Sequence, residues 1–129
     1  MDLEITKLDL RGDDRGIVVE ILKKSRIDPE IKEILLISSK PGVVRGNHYH
    51  KTKAEWLCII RGRAKFVYED NETGERKEII VSGEKPSLIR TPVNVAHAVK
   101  NIGDDELYMI EISNQIYDEI QDTFKKQIM

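Results

Sequence analysis

The chain has 129 residues, enough to bury a core and few enough to be read as one domain over 1–129. Apolar residues make up 40% and charged residues 34%, which excludes a disordered chain, and a net charge of −2 argues against nucleic-acid or anionic-membrane partners. Cys58 is the only cysteine, so no internal disulfide can form. The start, Met1-Asp2-Leu3-Glu4, carries no basic segment ahead of an apolar core, and no apolar run approaches membrane-spanning length; both fit a cytoplasmic protein.

Short β-prone runs separated by turn signals dominate. Ile5 to Leu10 predicts a first strand, Arg11 to Gly16 a turn-rich link, and Ile17 to Leu22 a second strand. The polar stretch Lys23 to Glu30, with Asp28-Pro29 inside it, predicts a loop or a single helical turn. Ile31 to Ser38 reads as a strand buried on both faces, and Lys40-Pro41-Gly42 ends it. Strands follow over Val43 to His50, Glu55 to Ile60, Arg63 to Glu69, Arg76 to Val81, Ser87 to Thr91, Val95 to Lys100 and Glu106 to Ser113. Asp70 to Gly74 forms a hairpin turn between two of them. Nine or ten strands in so short a chain predict an all-β fold closed as a barrel or double-sheet roll, which hides the edges. In the tail, Ile120, Phe124 and Ile128 recur every four residues, the spacing of a short amphipathic helix packed on the barrel or on a second subunit.

The chemistry concentrates in two places. His48 and His50 are two apart on a strand and so point the same way, while Asn47 and Tyr49 point the other. Glu55 opens the next strand; if the two strands pair, two imidazoles and a carboxylate meet on one patch of sheet. Two nitrogens and an oxygen suit Zn, Fe, Mn or Ni, and the same groups also suit acid–base chemistry on a bound substrate. His97, the third and last histidine, lies in another strand-like segment, so no imidazole is spent elsewhere. Cys58 sits in the apolar run Trp56 to Ile60 and reads as a buried thiol, not a nucleophile.

Gly42, His48, His50, Glu55 and Gly62 match the first motif of the cupins at every spacing. Pro92, His97 and Asn101 match their second, with Asn94 replacing a glycine, an exchange that Asn tolerates because it accepts left-handed backbone. The chain therefore resembles a cupin, which implies a single-domain jelly-roll β-barrel. Asp14-Arg15-Gly16 with Glu20, the run Gly42 to His50, and Ser113 to Glu119 resemble the nucleotide-sugar branch. That branch holds the dTDP-4-dehydrorhamnose epimerases, the small dTDP-hexulose ketoisomerases and the cupin domain of capsular-polysaccharide reductases.

This resemblance implies a homodimer without an organic cofactor, acting on a nucleotide sugar by proton abstraction next to a keto group. It implies Arg15 and Arg45 as phosphate-binding residues, with His48 and His50 at the reacting carbons and Tyr117 as proton donor. Tyr49 and Tyr108 read as packing residues. The epimerases have Gln at the position of His50 and bind no metal, whereas His48, His50, Glu55 and His97 together are the ligand set of metal-binding cupins. A metal-dependent cupin such as a dioxygenase, or a non-catalytic metal- or sugar-binding cupin, is therefore also open. An imidazole whose lone pair is on a metal cannot take a proton from substrate, so the two roles exclude each other at His48.

Overall fold

The computed structural model describes residues 1–23, 31–116 and 121–129. Twelve strands form among them. The first six are β1 (Glu4–Lys7), β2 (Leu10–Asp13), β3 (Gly16–Val19), β4 (Glu33–Ser39), β5 (Val44–Tyr49) and β6 (Glu55–Arg61). The rest are β7 (Arg63–Asp70), β8 (Arg76–Ser82), β9 (Ser87–Thr91), β10 (Val95–Asn101), β11 (Leu107–Ser113) and β12 (Phe124–Lys125). One sheet has the order β1-β9-β6-β11-β4 and the other β12-β5-β10-β7-β8, and every named pairing is antiparallel. The link expected from Arg11 to Gly16 is instead a separate hairpin, β2 with β3, turning at Asp13–Gly16.

Leu57, Ile59, Phe66, Tyr68, Ile89, Leu107 and Met109 fill the space between the sheets. Alternation along each strand puts them there, and removing each from water contributes about 1.5–3 kcal/mol. The opposite face of β6 sends Trp56 and Cys58 under Leu8, Val19, Ile21 and Ile31, so the early part of the chain covers that side. On the other sheet, Ile128 and Met129 pack over Val67, Ala96 and Ala98.

Three expectations are corrected. The tail is not helical over residues 121–129: Phe124 and Lys125 pair with Tyr49 and His48 on the free edge of β5. Four is a multiple of two, so a four-residue apolar spacing fits a strand as well as a helix, and an unpaired edge decides in favour of the strand. Ile128 is nevertheless buried on the outside of the roll. Next, β4 is not buried on both faces. Leu35 and Ile37 turn inward, but Ile34 and Leu36 are 60% and 64% exposed, because none of the described residues covers the outer face of this edge strand. Finally, Tyr108 is half-exposed, its hydroxyl donating to Glu106 Oε2 at 3.1 Å.

Asn101 laces the two sheets at one end of the roll. Its side-chain amide donates to Ser39 O at 2.9 Å and to Asp105 O at 2.8 Å, and its Oδ1 accepts from Gly103 N at 2.9 Å. The side chain is 1% exposed and fully satisfied.

Candidate active site

His48 and His97 face each other across the β5–β10 pairing. The register then slips, Ala98 standing opposite Gly46, so Asn47 is the extra residue of a bulge, in left-handed backbone at φ 54°. Gly46, at φ 93°, permits the close approach: a Cβ there would lie 2.6 Å from the His97 carbonyl oxygen. Asn94, the residue in the glycine position of the second motif, is left-handed as expected, at φ 60°.

Glu55 arrives from the facing sheet. β6 pairs with β9 and β11, not with β5, so convergence occurs across the interior of the roll and not along one sheet. The four residues 51–54 carry the chain from one sheet to the other. The imidazole centroids are 5.0 Å apart for His48–His50, 4.7 Å for His48–His97 and 5.3 Å for His50–His97. One potential ligand atom from each of His48, His50, Glu55 and His97 lies within 4.8 Å of the others.

Two of the rings are anchored through Nδ1. His50 Nδ1–H donates to the Asp122 carbonyl at 2.8 Å, and His97 Nδ1–H donates to the Val95 carbonyl at 3.1 Å. A carbonyl oxygen can only accept, so the proton sits on Nδ1 in both and Nε2 faces the cluster. His50 Nε2 meets Glu55 Oε1, and His97 Nε2 lies 3.7 Å from the same oxygen. His97 Nε2 is buried without a hydrogen-bond partner among the described residues, and Glu55 is the partner that His50 Nε2 meets. Anchored Nδ1–H groups with Nε2 atoms turned onto a buried carboxylate are the arrangement that metal-ligating histidines adopt, and the four side chains fit a divalent ion.

The protonation pattern follows from burial and neighbours. Burial opposes charge on His50, but the hydrogen bond and charge of Glu55 prevail and hold its pKa above the ordinary value. Glu55 answers in kind: burial pushes its carboxyl up, while His50, His97 and Lys53 bring it down to about 2. Burial, with the neighbouring His97 and His50, drives His48 down to about 4, so this ring is neutral at pH 7. Burial likewise lowers His97.

The cluster forms one wall of a cavity of about 360 Å³, whose other walls include Leu35, Ile37, Leu57, Phe66, Val99 and Met109. Arg45 also lines it, its guanidinium donating to Ser38 O and Ser39 Oγ at 2.8 Å each. Arg15 does not: it stands on the β2–β3 turn with its side chain 86% exposed, paired to Asp13 at 2.6 Å. Tyr117 lies outside the described residues. Tyr49 turns away from His48 and stacks on Phe124 at 5.4 Å.

Sequence reasoning missed two groups in the cavity. Lys53 Nζ is 3.2 Å from Glu111 Oε1 and 3.8 Å from Glu55 Oε1, and Lys53 is only 8% exposed. Burial, and then the charge of Glu55, push the Glu111 carboxyl up to about 7. The signal was available: Lys53 is two before Glu55, and Glu111 alternates with Met109 on the inner face of a largely apolar strand.

Known proteins share this arrangement of chain. Over 116 residues the sequence is 33% identical to a UDP-2-acetamido-2,6-beta-L-arabino-hexul-4-ose reductase of Pseudomonas aeruginosa, a match that covers 89% of this chain and 30% of the reductase. It is 29% identical to a probable low-salt glycan biosynthesis epimerase, Agl13, of Haloferax volcanii, covering 91% of this chain and 80% of that protein. The crystal structure of a dTDP sugar isomerase from Desulfovibrio desulfuricans superposes with a TM-score of 0.88 at 15% identity, covering 97% of this chain and 83% of that one. The fold is thus the cupin jelly roll of the dTDP-sugar epimerases. Residues 11–124 match the model of the polysaccharide biosynthesis C-terminal domain, and the chain belongs to that family.

Proposed function

We propose that this chain is a nucleotide-sugar epimerase or ketoisomerase for a dTDP-4-keto-6-deoxyhexose-type substrate, working as a cytoplasmic homodimer. The observation that carries this reading is the buried cluster of three imidazoles and a carboxylate on the wall of a largely apolar cavity with room for a sugar ring. The likeness to a glycan biosynthesis epimerase supports it.

In this reading His48, neutral at pH 7, takes a proton from the carbon beside the keto group. The C–H bond breaks, its electron pair enters the new C–C double bond, and the carbonyl oxygen becomes an enolate. Tyr117 returns a proton to complete inversion or isomerisation. Arg45 at the cavity takes a phosphate of the nucleotide. Arg15 stands away from the cavity of its own chain, so it reaches a diphosphate from a second copy. The exposed pairs Ile34 with Leu36 and Ile17 with Val18 offer apolar surface for that copy.

The Nε2 atoms of His50 and His97, both turned onto Glu55, favour a second reading, in which His48, His50, Glu55 and His97 hold Zn, Fe, Mn or Ni. A bound divalent ion would supply Lewis-acid polarisation of a substrate carbonyl. His48 would then orient the site as a ligand and could not be the base. Deuterium wash-in separates the two readings. Protein in heavy water, given a dTDP-4-keto-6-deoxysugar, should place deuterium beside the keto group, and His48→Ala should abolish it. No wash-in with any dTDP, UDP or GDP ketosugar overturns the epimerase reading. One equivalent of tightly held metal by elemental analysis selects the second.

A further inference from the structure

We infer that Asp122 is the positioning residue of the imidazole–carboxylate cluster, setting the His50 ring with its main chain and the spacer between His50 and Glu55 with its side chain. The inference rests on the metal-holding reading of the cluster. Asp122 is far from both cupin motifs in sequence, and neither motif contains it.

Its carboxylate accepts four hydrogen bonds. Oδ1 accepts from Lys51 N at 2.9 Å; Oδ2 accepts from Thr52 N at 2.9 Å, Lys53 N at 2.8 Å and Thr52 Oγ at 2.7 Å. Three successive N–H groups turned onto one carboxylate make a nest, and these three belong to the spacer that brings Glu55 across from the other sheet. The same residue's carbonyl accepts the His50 Nδ1–H, and the hydroxyl of the next residue, Thr123, lies 3.5 Å from that nitrogen. One residue thus fixes which nitrogen of His50 faces the cavity and the path of the four residues that follow. Asp122 is itself 7% exposed.

The clamp is held in place independently of the cluster. β12 pairs with β5, Phe124 stacks on Tyr49, Lys51 Nζ lies 4.3 Å above the Phe124 ring, and Lys126 N donates to Asn47 O at 2.8 Å. Asn47 Oδ1 accepts from Ile128 N and Met129 N at 3.0 Å each. Asn47 is the bulge residue beside His48, so the segment after Asp122 is tied to the ligand strand at both ends. Groups that orient a metal-binding imidazole from behind typically change metal affinity 10–100-fold when removed. Metal and clamp are also linked reciprocally: an ion that needs the docked segment must hold it docked.

The test titrates the metal-free full chain with Co²⁺, reading visible absorption for the ligand set and chelator competition for affinity. Asp122→Ala should bind 10–100-fold more weakly, with an altered Co²⁺ spectrum, while its circular dichroism remains native. In the wild type, Co²⁺ should slow amide exchange over residues 121–129. A natively folded Asp122→Ala protein that binds Co²⁺ within twofold of wild type, with the same spectrum, overturns the inference and leaves the metal reading intact. A wild type that binds no Co²⁺ instead sinks the metal reading. In that case the inference falls with it; if instead Asp122→Ala does not fold, Asp122→Asn decides by the same Co²⁺ readouts: weaker binding with an altered spectrum sustains the inference, and binding within twofold of wild type with the same spectrum overturns it.

Discussion

Gly46→Ala tests the link between backbone and cluster at a single atom. The added Cβ would meet the His97 carbonyl oxygen at 2.6 Å and Ala98 Cα at 3.0 Å, both main-chain atoms that cannot rotate away. Ordinary contact begins near 3.4 Å, so β5 and β10 must part by roughly 0.8 Å where His48 faces His97. Overpacking of this kind costs about 1–3 kcal/mol, and the left-handed backbone at φ 93° adds about 1–2 kcal/mol for an L side chain. A loss of about 3 kcal/mol lowers the Tm by roughly 12 °C in a chain of this size. Gly74→Ala supplies the control: its φ is 73°, but nothing lies within 4 Å of a Cβ there, so only the backbone cost of about 1 kcal/mol, or ~4 °C, remains. Calorimetry on the two variants, paired with Co²⁺ affinity, reads both effects. Gly46→Ala should also weaken Co²⁺ at least tenfold, whereas Gly74→Ala should not. If Gly46→Ala melts within about 3 °C of wild type and keeps its affinity, the bulge does not set the distance between the rings.

Metal-free protein should lose stability stepwise on acidification. His48, held at about 4 against an ordinary 6.5, contributes above pH 6.5 and loses that contribution as pH falls through 4. Asp122 follows: burial opposes it, but the Thr52 hydroxyl and the spacer N–H groups hold it at about 2 against 3.8, a contribution of up to about 2 kcal/mol before screening, lost between pH 4 and 2. Urea midpoints from pH 7 to 2 should fall in both windows, and His48→Ala should flatten the upper one. Cys58, 1% exposed and pushed up by burial to about 11, should resist a thiol reagent in native protein and react promptly in denaturant. Replacing Ile34 and Leu36 with Asp should reduce the mass in solution from about twice 14.9 kDa to a single chain, and a wild type that is already monomeric defeats the homodimer.

Much of the fold and the convergence of the four cluster residues is legible in the sequence, because both rest on local rules. Alternation and turn residues mark the strands, and His48, His50, Glu55 and His97 stand at spacings that strand geometry can use. What escapes is pairing. Nothing in Glu55 to Arg61 says that it joins the sheet facing His48, since antiparallel partners are chosen by the whole roll. The tail fails for a related reason: Phe124 and Ile128 carry an ambiguous period, and only the open edge of β5 resolves it. The exposed face of Ile34 and Leu36 is a property of coverage, not of the strand's own residues. Lys53 and Glu111 were within reach of parity reasoning, because a charged side chain at an inward position is informative wherever its neighbours are apolar. Asp122 was not, because its partners lie some seventy residues away.

Asn101 shows that the second motif mixes two kinds of message. Its histidine belongs to the cavity, but its asparagine stitches Ser39 to the turn at Asp105 and touches no member of the cluster. Demands of the cavity and demands of architecture therefore act on different letters of one signature. A descendant that kept Asn101 and exchanged His97 would retain the same shell around an altered cavity, and a search that weights the two letters equally would not tell the two apart.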